Sequence, residues 1–279
     1  MLGADVTRAL LTTHSVLGAD LHGPSVMDVC DAAAISSMFS EFKPEVVIHC
    51  AAMTDVDACE GNPEEAYRVN TGGTWNLAEA CRKQNARLCY ISTDYVFDGE
   101  KGSPYDEFDA PNPLGHYGRS KLAGELCVAR SGVQYWIVRT SWLFGLGGKC
   151  FPQTMLHAFK TQNEVRVVDD QVGSPTYTID LAEKLKQIVE ELPCGVYHVC
   201  NDGTCSWFEF AEKLAMEAGW HGKVRPIPSS EWPTPTRRPR NSSLRRHALE
   251  LLGKAEIRRW QDAAGEYVRE WKIADVVTA

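Results

Sequence analysis

Three consecutive stretches decide the fold: VVIHCAA (46–52), TGGTWNLAEACRKQN (71–85) and LCYISTD (88–94). The outer two are short apolar runs with the composition of strands buried on both faces. The stretch between them reads as a helix. A buried strand, a helix and a second buried strand form a βαβ unit, and the crossover makes the two strands parallel. Ligands of such sheets gather beyond the carboxyl ends of the strands. The small or polar tails CAAMT (50–54), STD (92–94) and RTSW (139–142) therefore mark where chemistry is expected.

The alternation continues on both sides. Upstream, ADVTRALLT (4–12) reads as a helix, VLGAD (16–20) as a short strand, and residues 32–42 as a helix ending before Pro44. Downstream, a loop rich in Gly, Pro and Asp precedes a helix near 115–130 and a strand at YWIVRTSWLFG (135–145). The pattern loosens after Phe144. It reads as strand, loop and helix over 164–185, a strand over 195–200 and a helix over 205–219. A proline-rich basic segment over 224–244 carries no regular signal, and the stretch from about 247 to 273 reads as helical. The expected fold class is α/β: a Rossmann-like parallel sheet with helices on both faces and a smaller C-terminal part.

With 279 residues, 44% hydrophobic and 24% charged, the chain can form such a domain and is not disordered or fibrous in composition. A net charge of -8 argues against broad nucleic-acid binding, and no base-reading motif is present. It leaves anionic small molecules open, because these respond to local charge. No run has the length of a membrane span or the pattern of a signal peptide, so the expectation is a cytoplasmic protein without membrane association. The ten cysteines are scattered, without a CxxC pair or zinc-ligand spacing, and read as free thiols.

The strongest local signal is Tyr117-Gly-Arg-Ser-Lys121. On a helix this spacing puts both side chains on one face. A nearby ammonium favours the phenolate and can orient a nicotinamide ribose, and the tyrosine can then protonate a carbonyl oxygen as hydride reaches the carbon. Thr93, at the end of a buried strand, can polarise that carbonyl, with Ser92 holding the turn. Asp94 is either a ligand contact or a loop cap. Ala51 and Ala52 are small enough for a cofactor to pass close to the backbone, or simply pack tightly. Asp20 binds an adenosine ribose or closes a turn, and Asp28 and Val29 are candidates to flank adenine. His49 reads as a core histidine and His116 receives no catalytic role. Trp142 is a wall for a sugar or base, or core. Arg237, Arg238 and Arg240 suit phosphate, or form a solvated turn.

Together with YRVNTGGTWNLAEAC (67–81), STDYVFDG (92–99), PNPLGHYGRSKLAGE (111–125), VVDDQVGSPTYTIDLA (167–182) and PTPTRRPRNSSL (233–244), these residues carry a family pattern. The sequence resembles the dTDP-4-dehydrorhamnose reductase family of the extended short-chain dehydrogenases, over nearly the whole chain. The resemblance implies catalytic roles for Thr93, Tyr117 and Lys121. It implies that Tyr95 and Trp142 lie around the sugar, that Asn70 organises the cofactor side, and that Arg238 faces the activated-sugar pocket. The implied reaction is reduction, by NADPH or NADH, of the 4-keto group of dTDP-4-dehydro-β-L-rhamnose. Some members form homodimers with magnesium at the interface, although no ligand set here calls for the metal. The family also includes noncatalytic relatives, such as the regulatory subunit of methionine adenosyltransferase, and reduction or epimerisation of another nucleotide sugar is a further alternative.

The family pattern begins strand-GxxGxLG. This sequence begins MLGADV, with Gly3 as the last of those glycines, so the amino terminus is expected to be incomplete. The expected division is 1–141 as the NAD(P)-binding part, with 176–200 returning to it, and 142–175 with 201–279 as mainly the substrate-binding part.

Overall fold

A computed structural model describes residues 1–278; Ala279, the end of the expected substrate-binding part, lies outside the described residues. The chain opens with α1 (Leu2–Leu10) and α2 (Ala32–Phe42), then β1 (Val46–His49), α3 (Val56–Gly61), α4 (Pro63–Tyr67), α5 (Thr74–Gln84) and β2 (Arg87–Thr93). It continues with α6 (His116–Arg130), β3 (Tyr135–Thr140), β4 (Leu143–Phe144), α7 (Phe151–Thr161), β5 (Glu164–Val168), β6 (Val172–Gly173), β7 (Thr176–Tyr177), α8 (Thr178–Glu191) and β8 (Gly195–His198). The last elements are β9 (Cys205–Ser206), α9 (Trp207–Ala218), β10 (Lys223–Ile227), α10 (His247–Leu251) and α11 (Trp260–Thr278).

The main sheet has the order β1-β2-β3-β8, with every neighbouring pair parallel. Alternation along β2 explains the layers, because successive side chains point to opposite faces. Cys89 and Ile91 face a core built with Leu2, Val6 and Leu10 of α1 and Leu181, Leu185 and Ile188 of α8. Leu88 and Tyr90 face the opposite core, with Ile35 and Phe39 of α2, Leu77 and Cys81 of α5 and Val128 of α6. Local signals set the helix ends. Asp31 caps α2 by accepting from the Ala33 and Ala34 amides, and Lys43, at φ 51°, ends it before Pro44.

A separate core joins α7, α9 and α11 through Phe144, Leu156, Phe210, Leu214, Trp260 and Tyr267. Outside the main sheet lie two-stranded ribbons: β4 with β7, β5 with β10, and β6 with β9.

Four expectations about elements are corrected. VLGAD forms no strand; Asp20 instead closes a local loop through the Ser25 and Met27 backbone. A short β run needs a ladder partner, and β1 hydrogen-bonds to β2 alone. Residues 224–227 of the segment read as irregular belong to β10, because Val224 and Ile227 lie beside β5. The terminal stretch is not one helix, since residues 252–259 separate α10 from α11. Helix α7 and the pair α3–α4 carried no signal that was read. The helix expected at 71 begins with a π-helical turn over Arg68–Gly73.

Candidate active site

The carboxyl end of β2 is the centre of the site. Thr93 and Thr140 are register partners there, so the ends of β2 and β3 lie side by side. The chain turns directly after Thr93: its hydroxyl accepts from the Tyr95 amide at 3.2 Å and donates to Asp94 Oδ1 at 3.0 Å. Helix α6 packs flush on this turn because residue 118 is glycine. A Cβ there would stand 2.1 Å from the Tyr95 carbonyl oxygen. That close approach brings Tyr117 beside Thr93 and against Tyr95, the two rings meeting edge-on at 5.6 Å.

Lys121 lies one turn further along α6, 2% exposed. Its Nζ donates to the Ile91 carbonyl at 2.7 Å and sits 4.1 Å from the Tyr90 ring. Burial lowers its pKa to about 7, opposed by the carboxylate of Glu125. Burial also raises the Tyr117 phenol well above its ordinary value, and the Thr93 hydroxyl opposes that rise. The depression of the phenol by Lys121 expected from the motif is thus not what dominates. The phenol is held protonated, as a proton donor must be. Asp94, buried and bonded to the hydroxyls of Ser242 and Thr93, is pushed up to about 7 by burial.

One more turn along the helix, Glu125 forms a bidentate ion pair with Arg139 of β3 at 2.7 and 2.9 Å and accepts from Ser92 at 2.6 Å. Ser92 therefore holds the strand end to α6. Tyr117, Lys121 and Glu125 share one helix face at four-residue intervals. That spacing was the available sign of Glu125, which the motif reading passed over.

A cavity of about 1690 Å³ runs from this point along the sheet edge. Thr93, Asp94, Tyr95, Tyr117, Lys121, Trp142 and Arg238 line it, as do Gly3, Asp20, Asp28, Val29, Ala51 and Ala52, and it runs on past the apolar Leu2, Val6, Val46, Val47 and Leu77. Asn70 is the exception among the predicted residues. It is fully buried, its amide paired with both backbone polar groups of Met53 and with the Ser120 hydroxyl. It fixes the loop after β1 to α6 and does not line the cavity. Arg238 pairs with Asp57 at 2.9 Å and approaches the Tyr95 hydroxyl at 3.4 Å, whereas Arg237 pairs with Glu100 on the surface.

Ala51 and Ala52 line the cavity beyond β1 and leave the backbone approachable for a dinucleotide. His49 is a core residue, its Nε2 3.1 Å from the Thr74 hydroxyl, and burial lowers its pKa to about 3. His116 packs edge-on against Tyr67. Among the described residues, no group of three or more His, Cys, Asp or Glu is arranged to hold a metal. No helix among them is long and apolar enough to cross a membrane.

Comparison with known proteins identifies the family. The model of the RmlD substrate binding domain matches residues 1–273. A dTDP-4-dehydrorhamnose reductase from Streptomyces griseus is 38% identical over 276 residues, covering 95% of this chain and 89% of that one. The chain belongs to the dTDP-4-dehydrorhamnose reductase family. Among solved family structures, a dTDP-4-dehydrorhamnose reductase from Clostridium acetobutylicum superimposes with a TM-score of 0.93 at 40% identity, covering 97% of this chain and 96% of that one. A second, from Bacillus anthracis in complex with NADP, gives a TM-score of 0.84 at 39% identity, covering 88% of this chain and 87% of that one.

Proposed function

We propose that the chain reduces the 4-keto group of dTDP-4-dehydro-β-L-rhamnose to give dTDP-β-L-rhamnose, with NADPH or NADH as reductant. The observation that carries this reading is the convergence of Thr93, Tyr117 and Lys121 at the end of β2, within one cavity. Family membership supports the substrate class.

The bound nicotinamide supplies the hydride. Tyr117 supplies the proton: its phenol keeps that proton until a carbonyl oxygen gains negative charge beside it. Thr93 donates to Asp94, and that bond orients the hydroxyl beside Tyr117. Lys121, fixed by the Ile91 carbonyl, holds a donor at the same place and orients the cofactor ribose. Gly3, Ala51 and Ala52 leave room for the pyrophosphate, with Asp20, Asp28 and Val29 toward the adenosine. Tyr95, Trp142 and Arg238 contact the sugar nucleotide, and Asn70 supports the site from behind. The division of labour follows: 1–141 with 176–200 holds the cofactor, and 142–175 with the residues from 201 onward holds most of the substrate. A homodimer and a cytoplasmic setting accompany this reading.

The test is NADPH oxidation with dTDP-4-dehydrorhamnose, comparing wild type with Tyr117→Phe. The expected loss is about 10²–10⁴-fold in kcat, the range of a positioned general acid. Turnover of a different nucleotide 4-ketosugar instead would replace the substrate assignment. A folded wild type inert with all of them would point to a noncatalytic member.

A further inference from the structure

Trp142 has a backbone φ of 47°, in the left-handed region that large side chains rarely occupy. Such a conformation persists only where the surroundings over-determine it, and it clusters at ligand sites. Two neighbours do so here. The Trp207 indole stacks on the Trp142 indole with centroids 3.4 Å apart and planes within 7°, and Phe151 backs Trp207 at 4.6 Å. Against the same indole lies Gly173, where a Cβ would come within 2.3 Å of the Trp142 ring.

The β6–β9 ribbon brings these two contacts together. Gly173 is the register partner of Cys205, two residues before Trp207. Ser206 and Glu209 form a reciprocal cap that fixes Trp207 as the first residue of α9. Trp142 itself stands two residues beyond Thr140, the partner of Thr93. Both indoles are half-buried and line the cavity that holds Thr93 and Tyr117.

We infer that Trp207 is a positioning residue of the sugar site: stacked on one face of Trp142, it fixes the part of that indole that lines the cavity, and a deoxyhexose packs against that fixed part. The inference rests on the proposed function and adds to it a residue from outside the main sheet. An aromatic side chain suits the C–H groups and methyl of such a sugar, and one that is already rigid loses little freedom on binding.

Circular dichroism and calorimetry test it together, using Trp207→Ala, Trp207→Phe and wild type, with dTDP-β-L-rhamnose and dTDP as probes. Two stacked indoles give an exciton couplet, expected in wild type and lost in both variants. Trp207→Ala should weaken dTDP-β-L-rhamnose by about tenfold, the factor of one well-ordered aromatic contact, and leave dTDP unchanged. Trp207→Phe, which still stacks, should recover most of that affinity. Equal weakening of both probes, or none, overturns the inference while leaving the proposed function standing. A wild type with the couplet that binds neither probe overturns the proposed function and the inference with it.

Discussion

At the scale of single residues, two groups of opposite charge type titrate at the same place. Burial lowers Lys121 to about 7 and raises Asp94 to about 7. As pH climbs through that value the lysine loses its charge and the aspartate gains one, so the donor set around a reacting carbonyl weakens twice over. The expected result is a reductase whose kcat declines above about pH 7. Asp94→Asn should leave a shallower alkaline limb set by Lys121 alone, and Lys121→Met the limb set by Asp94 alone on a much lower kcat. A wild-type profile flat well into the alkaline range would show that neither group governs the step. Tyr117 and Lys121 were legible because a four-residue spacing reads the same in sequence and on a helix. The state of the Tyr117 phenol was not legible, since it depends on burial by elements distant in the chain.

At the scale of elements, the site depends on how closely α6 meets β2. Gly118 leaves no room for a Cβ against the Tyr95 carbonyl. Gly118→Ala should push the helix away, at a cost of about 1–3 kcal/mol in stability and with a larger proportional fall in kcat. Urea denaturation and steady-state kinetics on the same samples would show both. The Glu125–Arg139 pair, each side chain 6% exposed, ties α6 to β3. Glu125→Gln strands a buried guanidinium and should cost about 3–5 kcal/mol, whereas Glu125→Leu combined with Arg139→Met should regain most of that loss. If the double variant is no better than the single one, the pair holds more than charge balance. Strong apolar runs made β1, β2, β3 and α6 readable from sequence, with small shifts at their ends. Helices α3 and α4 were not, because each is under two turns long and shows no periodic stripe; α7 does carry one, in Phe151, Met155, Leu156 and Phe159. VLGAD shows the converse, a strand-like composition that lacks a neighbour to pair with.

At the scale of the whole molecule, the sheet buries two neutral imidazoles. His49 and His198 both fall to about 3 from the ordinary 6.5, chiefly through burial. A lowered pKa contributes stability that is fully present above the unfolded value and lost as pH falls toward the folded one. Between about 6.5 and 3 the unfolded chain takes up two protons that the native state refuses. Stability should therefore fall by roughly 1.4 kcal/mol per pH unit for each histidine. Urea midpoints across this range would measure the slope, which Asp94, raised to about 7, opposes, and His198→Gln should change it by roughly 1.4 kcal/mol per pH unit; an unchanged slope would assign acid sensitivity elsewhere. The sequence by itself determined the parallel sheet, the family and the helix face that carries Tyr117 and Lys121, because apolar periodicity and motif spacing are local properties. Tertiary structure alone decided that Trp207 stacks on Trp142, that Ser242 reaches Asp94 and that Arg238 meets Asp57. Those partners are far apart in the chain, and no local pattern encodes a contact that exists only once the sheet and the C-terminal segments have packed.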